Sequence, residues 1–68
     1  MKSISGKKFA KILEEHGWQL MRVKGSHYIY KKAGESIRIS VPIHGNQDLK
    51  VGLLRHFLKQ ANLSEDDL

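Results

Sequence analysis

The spacing of apolar residues changes twice along the chain, from helical to alternating and back to helical. In the first segment the apolar face has the i, i+3, i+4, i+7 spacing of a helix: Phe9, Ile12, Leu13 and His16. Ser5 can cap the start of this helix, and Gly17 can end it in a left-handed conformation. The pattern predicts a first helix over residues 6–16, with His16 favoured at its C-terminus by the helix dipole.

Large and β-branched residues follow, with glycines between the segments. This composition predicts three strands, over residues 18–24, 27–32 and 36–41. Gly25 and Ser26 form a short turn, so the first two strands make a hairpin. In the third strand the residues that share one face are Ile37, Ile39 and Val41. Pro42 lacks the amide hydrogen that a strand needs, so we expect the third strand to end there.

The helical spacing returns after a polar loop over residues 43–49. We expect a second helix to open at Lys50, with a stripe of buried residues: Val51, Leu54, Phe57, Leu58 and Ala61. His56 falls on the polar side of this helix and should be solvated. Beyond it, Ser64 and the acidic residues after it predict either a capped turn or a frayed tail.

The predicted order of elements is therefore αβββα in a single domain, residues 1–68. So short a sheet cannot be covered on both faces, so we expect an α+β two-layer sandwich. A three-stranded antiparallel sheet would carry both helices on one face and leave the other open. Double-stranded RNA-binding domains have the same order. With 68 residues the core is thin, and no room remains for a cofactor domain.

The charge of the chain is strongly positive and unevenly distributed. Twelve Lys and Arg stand against seven Asp and Glu, for a net charge of +5, and three of the acids lie in the last eight residues. A basic body of this kind attracts polyanions, among which nucleic acid is the commonest. A basic surface that only confers solubility is the alternative.

The compartment can also be inferred from composition. The chain has no cysteine, which excludes disulfides and thiolate metal sites and fits a reducing cytosol. The opening residues lack the apolar run of a signal peptide, and no stretch is apolar enough to span a membrane. We expect a cytoplasmic protein that makes no use of membranes.

His27 is the candidate for chemistry, because it stands where the hairpin turn meets the second strand. RNA carries its own nucleophile, the 2′-hydroxyl, beside the scissile phosphate. Cleavage then needs a base, positive charge on the phosphate and an acid, and a histidine can serve as base or acid at neutral pH. Arg22 and Lys24 could hold the phosphate, with the amides of Gly25 and Ser26 as neutral donors.

These side chains could instead form a zinc site, form a nucleophilic pair or serve only the fold. A zinc site needs three or four converging ligands, and beyond His27 and His44 no well-spaced third ligand is evident. Ser26 cannot pair with His27 as a nucleophile, because adjacent strand residues point to opposite faces. His27 could also be purely structural. Alternation leaves open whether Tyr28 and Tyr30 pack inward, exposing His27, or decorate the open face and stack on bases.

Four short motifs are spaced along the chain: Gly17-Trp18, Lys24-Gly25-Ser26-His27, Val41-Pro42-Ile43-His44-Gly45, and the segment from Gly52-Leu53-Leu54-Arg55 to Gln60-Ala61. With these motifs, residues 5–63 resemble the HicA toxins of bacterial and archaeal toxin–antitoxin pairs. The resemblance implies a fold like that of double-stranded RNA-binding domains and an endoribonuclease that cleaves messenger RNA and arrests translation. It implies that His27 is the essential histidine and that a HicB antitoxin binds the toxin and blocks this site.

Three hypotheses follow. The first is a metal-independent endoribonuclease without a cofactor, with His27 as its acid–base residue and His44 as a candidate for the unassigned general acid. The second is a non-catalytic RNA-binding module that holds phosphates with basic residues: Lys7, Lys8, Lys11, Arg22, Lys24 and Lys50. The third is a protein-interaction domain, which needs neither an exposed histidine nor affinity for RNA.

Overall fold

A helix, a three-stranded antiparallel sheet and a second helix follow one another along the chain. The computed structural model describes residues 3–68, so Met1 and Lys2 of the predicted domain lie outside the described residues. The elements are α1 (Gly6–Glu15), β1 (Gln19–Lys24), β2 (His27–Lys31), β3 (Ile39–Pro42), α2 (Val51–Ala61) and a 3-10 turn, Glu65–Asp67. The predicted αβββα order and α+β class are confirmed.

Both ends of α1 are fixed by the residues that the sequence indicated. The Ser5 hydroxyl accepts a hydrogen bond from the Lys8 backbone N–H at 3.2 Å, which satisfies one of the free amides of the first turn. At the other end Gly17 has a φ of 93°, in the left-handed region. The Trp18 N–H then turns back to the Leu13 carbonyl at 3.0 Å.

The sheet has the order β1-β2-β3, so β2 is central. Lys24 and His27 face each other across a two-residue turn, in which Gly25 has a φ of 60°. Glycine at the first turn position with positive φ is typical of a type II′ hairpin, whose twist matches that of the strands. The register of β1 against β2 shifts between Leu20 and Arg22, where Met21 forms a bulge.

The third strand is shorter than predicted and placed later: Ile39–Pro42 instead of residues 36–41. Its first pair is Ile39 with Tyr30, and β2 ends at Lys31, so residues 36–38 have no strand to pair with. The strand ends at Pro42 as predicted, but Pro42 is itself the last residue of β3 and not the first residue after it. Pro42 pairs with His27, and β3 is an edge strand, where a missing amide hydrogen is tolerated.

The core lies between the helices and one face of the sheet. The sheet contributes Tyr30, Ile39 and Val41, all buried. From the helices, the rings of Phe9 and Phe57 stack with centroids 5.6 Å apart. The tyrosines therefore point inward, and the other face of the sheet is left open.

The buried face of α2 agrees with the predicted stripe except at its first member. Leu54, Phe57, Leu58 and Ala61 are buried, but Val51 is 44% exposed. Leu49, just before the helix, fills the core at this end instead and donates its N–H to the Ile4 carbonyl at 2.8 Å.

The last residues form the capped turn and not a frayed tail. The Ser64 N–H donates to the Asp67 carboxylate at 2.8 Å, and this hydrogen bond lowers the pKa of Asp67. The turn brings Asp67 to 3.5 Å from His16 Nε2. Within residues 3–68, none of the helices combines the length and the apolar character needed to cross a membrane.

Candidate functional site

His27 is the first residue of β2 and lies at the end of the sheet where the hairpin turn emerges. Its side chain is exposed, and its strand neighbours are Lys24 on β1 and Pro42 on β3. Residues directly opposite one another in an antiparallel pair have their side chains on the same face. Lys24 therefore stands beside the imidazole on the same face of the sheet.

The packing of the tyrosines decides which face carries His27. Tyr30 is 2% exposed and packs under the helices, so Tyr28 faces the helices as well. His27 and Ile29 then lie on the open face. Arg22 pairs with Ile29 and so belongs to the same face. The structure thus resolves the alternation in favour of an exposed His27 with two cations, Arg22 and Lys24, along the adjacent strand.

Ser40 is a neighbour of His27 that sequence reasoning missed. Its Oγ lies 3.5 Å from His27 Nδ1, the long limit of a hydrogen bond, and the tautomer of the ring decides which of them donates. The alternation of β3 places Ser40 on the other face of the strand from Ile39 and Val41. Finding its contact with His27 also requires the parity of β2 and the strand register, which alternation alone does not provide.

The turn residues have different surroundings. The Ser26 carbonyl accepts from the Ile43 N–H at 2.8 Å, which ties the turn to the loop after β3. Gly25 is exposed, and a Cβ built on it would meet no atom within 4 Å. A phosphate could therefore approach the backbone at Gly25 without a clash.

His44 lies close to the turn along the chain but belongs to a different concavity. It follows Ile43 by one residue and is exposed. With Pro42, Gln47 and Lys50 it lines a cleft of about 340 Å³ beside the start of α2. Pro42 also pairs with His27, so the two histidines flank the same edge of the sheet.

The remaining histidines have structural or solvated surroundings. His16 Nδ1–H donates to the Ile12 carbonyl at 2.9 Å at the end of α1, as expected for a helix-terminal histidine. His56 is exposed on α2. Across residues 3–68, no group of three or more His, Asp or Glu side chains converges closely enough to hold a metal ion.

The arrangement on the open face has a definite chemical capacity. An exposed imidazole can accept or give a proton, and Lys24 and Arg22 present fixed positive charge beside it. The hydrogen-bonded sheet holds these groups in place while leaving them open to a large substrate. Such a face suits proton transfer on a polyanion.

Comparison with known proteins identifies the family of the chain. A search of curated proteins finds no significant match to the chain. The family model described as the HicA toxin of bacterial toxin–antitoxin systems matches residues 6–63 of the 68, from the start of α1 to just beyond α2. The match includes both helices, the whole sheet and the open face with His27. The chain therefore belongs to the HicA toxin family.

Proposed function

We propose that the protein is an endoribonuclease that cleaves messenger RNA, with His27 as the acid–base residue. The observation that carries the proposal is the exposed His27 on the open face of the sheet, with Lys24 opposite it and Arg22 on the same strand as Lys24. Membership of a toxin family adds support, because cleavage of messenger RNA would arrest translation. The protein would act in the cytoplasm, where messenger RNA is translated.

The reaction needs little more than this face provides. His27 takes the proton of the 2′-hydroxyl, and the resulting oxygen attacks the adjacent phosphorus while Lys24 and Arg22 neutralise the phosphate. The bond from phosphorus to the 5′-oxygen breaks, leaving a 2′,3′-cyclic phosphate on one product. The leaving 5′-oxygen takes a proton from a second group. The candidate for this group is His44, two residues after the strand partner of His27, Pro42. No metal ion is needed on this route.

The central test is His27→Ala with His56→Ala as its matched control. Both histidines are exposed, so both variants should keep the fold, which circular dichroism and a thermal melt would check. We expect His27→Ala to lower RNA cleavage by about 10² to 10⁴-fold, the range for loss of a general acid–base group, and His56→Ala to leave it unchanged. Wild-type cleavage by His27→Ala would disprove the mechanism.

The chemical route has its own readouts. RNA with a single 2′-deoxy sugar at the cleavage position should bind but stay uncut, because the nucleophile is missing. EDTA should not inhibit. Loss of activity on chelation, or cleavage of the deoxy-substituted RNA, would contradict the proposed route and restore a metal-assisted one.

The partner that restrains the toxin would be a HicB-type antitoxin, which covers the open face. Co-expression of the adjacent reading frame should then restore growth.

A non-catalytic RNA-binding module is the second candidate, supported by exposed lysines on α1: Lys7, Lys8 and Lys11. Salt-sensitive binding of RNA that stays intact after long incubation would favour that candidate.

A further inference from the structure

A second concavity, the α1 cleft, lies on the opposite side of the sheet from His27. We define it by one face of α1 and the inward side of β2. The α1 residues are Lys7, Lys11 and Glu14 around the buried Ala10, at i, i+4 and i+7 spacing, and Tyr28 and Tyr30 form the facing wall. The loop after β3 closes one end with Asn46. Its volume of about 440 Å³ falls in the range of small-ligand sites.

The lining has the composition expected of a site for one nucleotide. Lys7 and Lys11 are exposed at the rim and can meet a phosphate. Below them the half-buried ring of Tyr28 and the buried Ala10 give an apolar wall and floor. Aromatic side chains of this kind stack on unpaired bases.

Glu14 provides the cleft with a carboxylate that accepts hydrogen bonds and donates none. Its Oε2 accepts from the Tyr30 hydroxyl at 3.3 Å. Burial and the charge of Glu14 raise the pKa of Tyr30 to about 12, so the hydroxyl stays protonated and remains the donor at neutral pH. A carboxylate has about four lone-pair sites, so it can accept further hydrogen bonds from a ligand in the cleft, and it can donate none.

We propose that the α1 cleft binds one unpaired nucleobase of the RNA strand and selects bases that carry an exocyclic amino group. Tyr28 stacks on the base, Lys7 and Lys11 hold the flanking phosphate, and Glu14 accepts from the amino group. Adenine, cytosine and guanine have this donor. Uracil has carbonyl oxygens at its exocyclic positions, which the carboxylate repels, and has only its ring N3–H as a donor on this edge. The inference rests on the proposed function in that RNA is the substrate.

The chain connects the α1 cleft to the open face. Tyr28 follows His27 directly, and the two side chains point to opposite faces of the same strand end. The loop that carries Asn46 is tied to the hairpin turn through the Ile43 N–H and the Ser26 carbonyl. An RNA strand that passes around this corner can present its scissile phosphate to His27 and a neighbouring base to the cleft.

Two adjacent pairs on α1 provide matched variants. Glu14 and Glu15 are both exposed, but only Glu14 lines the α1 cleft, whereas Glu15 lines a separate depression on the other side of the helix. Likewise, Lys7 lines the α1 cleft and Lys8 lines the separate depression. The substitutions Glu14→Gln and Glu15→Gln, or Lys7→Ala and Lys8→Ala, therefore change charge equally at neighbouring positions.

The test measures binding of short single-stranded oligoadenylate, oligocytidylate and oligouridylate by fluorescence anisotropy. The protein carries His27→Ala so that bound RNA stays intact. We expect oligouridylate to bind about tenfold more weakly, in keeping with the discrimination of a good base contact. Glu14→Gln should remove most of this preference, because an amide can also donate to the uracil carbonyl. Glu15→Gln should leave the preference unchanged. Lys7→Ala should weaken all three ligands alike and more than Lys8→Ala does.

Each other result has a clear meaning. Equal binding of the three oligonucleotides by the parent protein, or an unchanged preference in Glu14→Gln, would overturn the proposal. So would variants of the α1 cleft that bind RNA normally and lose only the antitoxin, since the cleft would then be a protein-binding surface. If base preference depends on Glu14 but the wild-type protein cuts no RNA, the ribonuclease proposal fails while the base-binding cleft stands.

Discussion

His27 is exposed because of residues that never touch it. Tyr30 packs under the helices and is 2% exposed, and this fixes the parity of β2. A slip of one residue in the register would turn every side chain of the strand to the other face. It would bury His27 and expose the tyrosines. The core residues of β2 thus hold the candidate catalytic group in the open.

Ser40 provides a test of positioning at the scale of one residue. Its Oγ lies 3.5 Å from His27 Nδ1, and a hydrogen bond at this position restrains the orientation of the ring. Because one neutral hydrogen bond contributes about 0.5–1.5 kcal/mol and this one is long, we expect Ser40→Ala to lower the rate of RNA cleavage by roughly two- to fivefold. Single-turnover kinetics across a range of pH would measure it.

Two further variants separate positioning from a general effect of the substitution. Ser40→Thr keeps the hydroxyl and should restore most of the rate. Ser36→Ala removes an exposed serine from the loop before β3 and should leave the rate unchanged. An effect of Ser36→Ala as large as that of Ser40→Ala would show that the contact with His27 is irrelevant.

The positions of the candidate site residues in the fold could be predicted from the sequence better than their contacts with one another. The place of His27 at a strand end beside Lys24 follows from the turn residues and the alternation. Which face carries the histidine depends on whether Ile29 or the tyrosines fill the core, and both choices are apolar enough to do so. Ser40 and the α1 cleft could not be predicted, because both arise from register and from helix packing.

At the scale of elements, the start of β3 was harder to predict than its end. Residues 36–38 have strand-forming character, but a strand exists only where a neighbour pairs with it, and β2 ends at Lys31. The helices were predicted closely, because the i, i+3, i+4 spacing of their apolar residues is a local signal, and α1 also has the local cap residues Ser5 and Gly17. The prediction that Val51 is buried was wrong. Its burial depends on how far the sheet extends beneath α2, and Leu49 occupies that end of the core.

Replacing glycine by alanine should change the free energy of unfolding in opposite directions in the hairpin turn and in α2. Gly25 has a φ of 60°, and a Cβ there meets no atom within 4 Å, so Gly25→Ala pays only the conformational cost. We expect it to lower the free energy of unfolding by about 1–2 kcal/mol. Gly52 lies in the first turn of α2, also with free space around it. There Gly52→Ala should raise the free energy of unfolding by about 0.4–1 kcal/mol.

Urea unfolding followed by circular dichroism measures both values. If Gly25→Ala and Gly52→Ala shift the midpoint in the same direction, the backbone conformations assigned to the two glycines are wrong.

At the scale of the whole molecule, the candidate catalytic face and the core lie on opposite sides of the sheet. His27, Lys24 and Arg22 are exposed on the open face, and the buried residues lie on the other side of the sheet. Substitutions at these three positions should therefore change activity with little effect on folding, in keeping with surface changes of about 0.5 kcal/mol or less. The α1 cleft differs, because Tyr28 and Tyr30 belong to both the cleft wall and the packed layer.

Tyr30 therefore links the stability of the whole fold to pH. Burial and the neighbouring charge of Glu14 raise its pKa from 10.0 to about 12. A group with a raised pKa contributes stability that is complete below pH 10 and is lost as the pH rises through 12. A shift of this size corresponds to roughly 2–3 kcal/mol, so the free energy of unfolding should fall by up to that amount across this range.

In Tyr30→Phe the fall should be smaller by the same amount, because no proton remains to be lost. Tyr28→Phe serves as the control, and urea unfolding at pH 9, 10 and 11 measures all three proteins. Parallel curves for the wild type and Tyr30→Phe would show that the Tyr30 hydroxyl is not held in its protonated form by the fold.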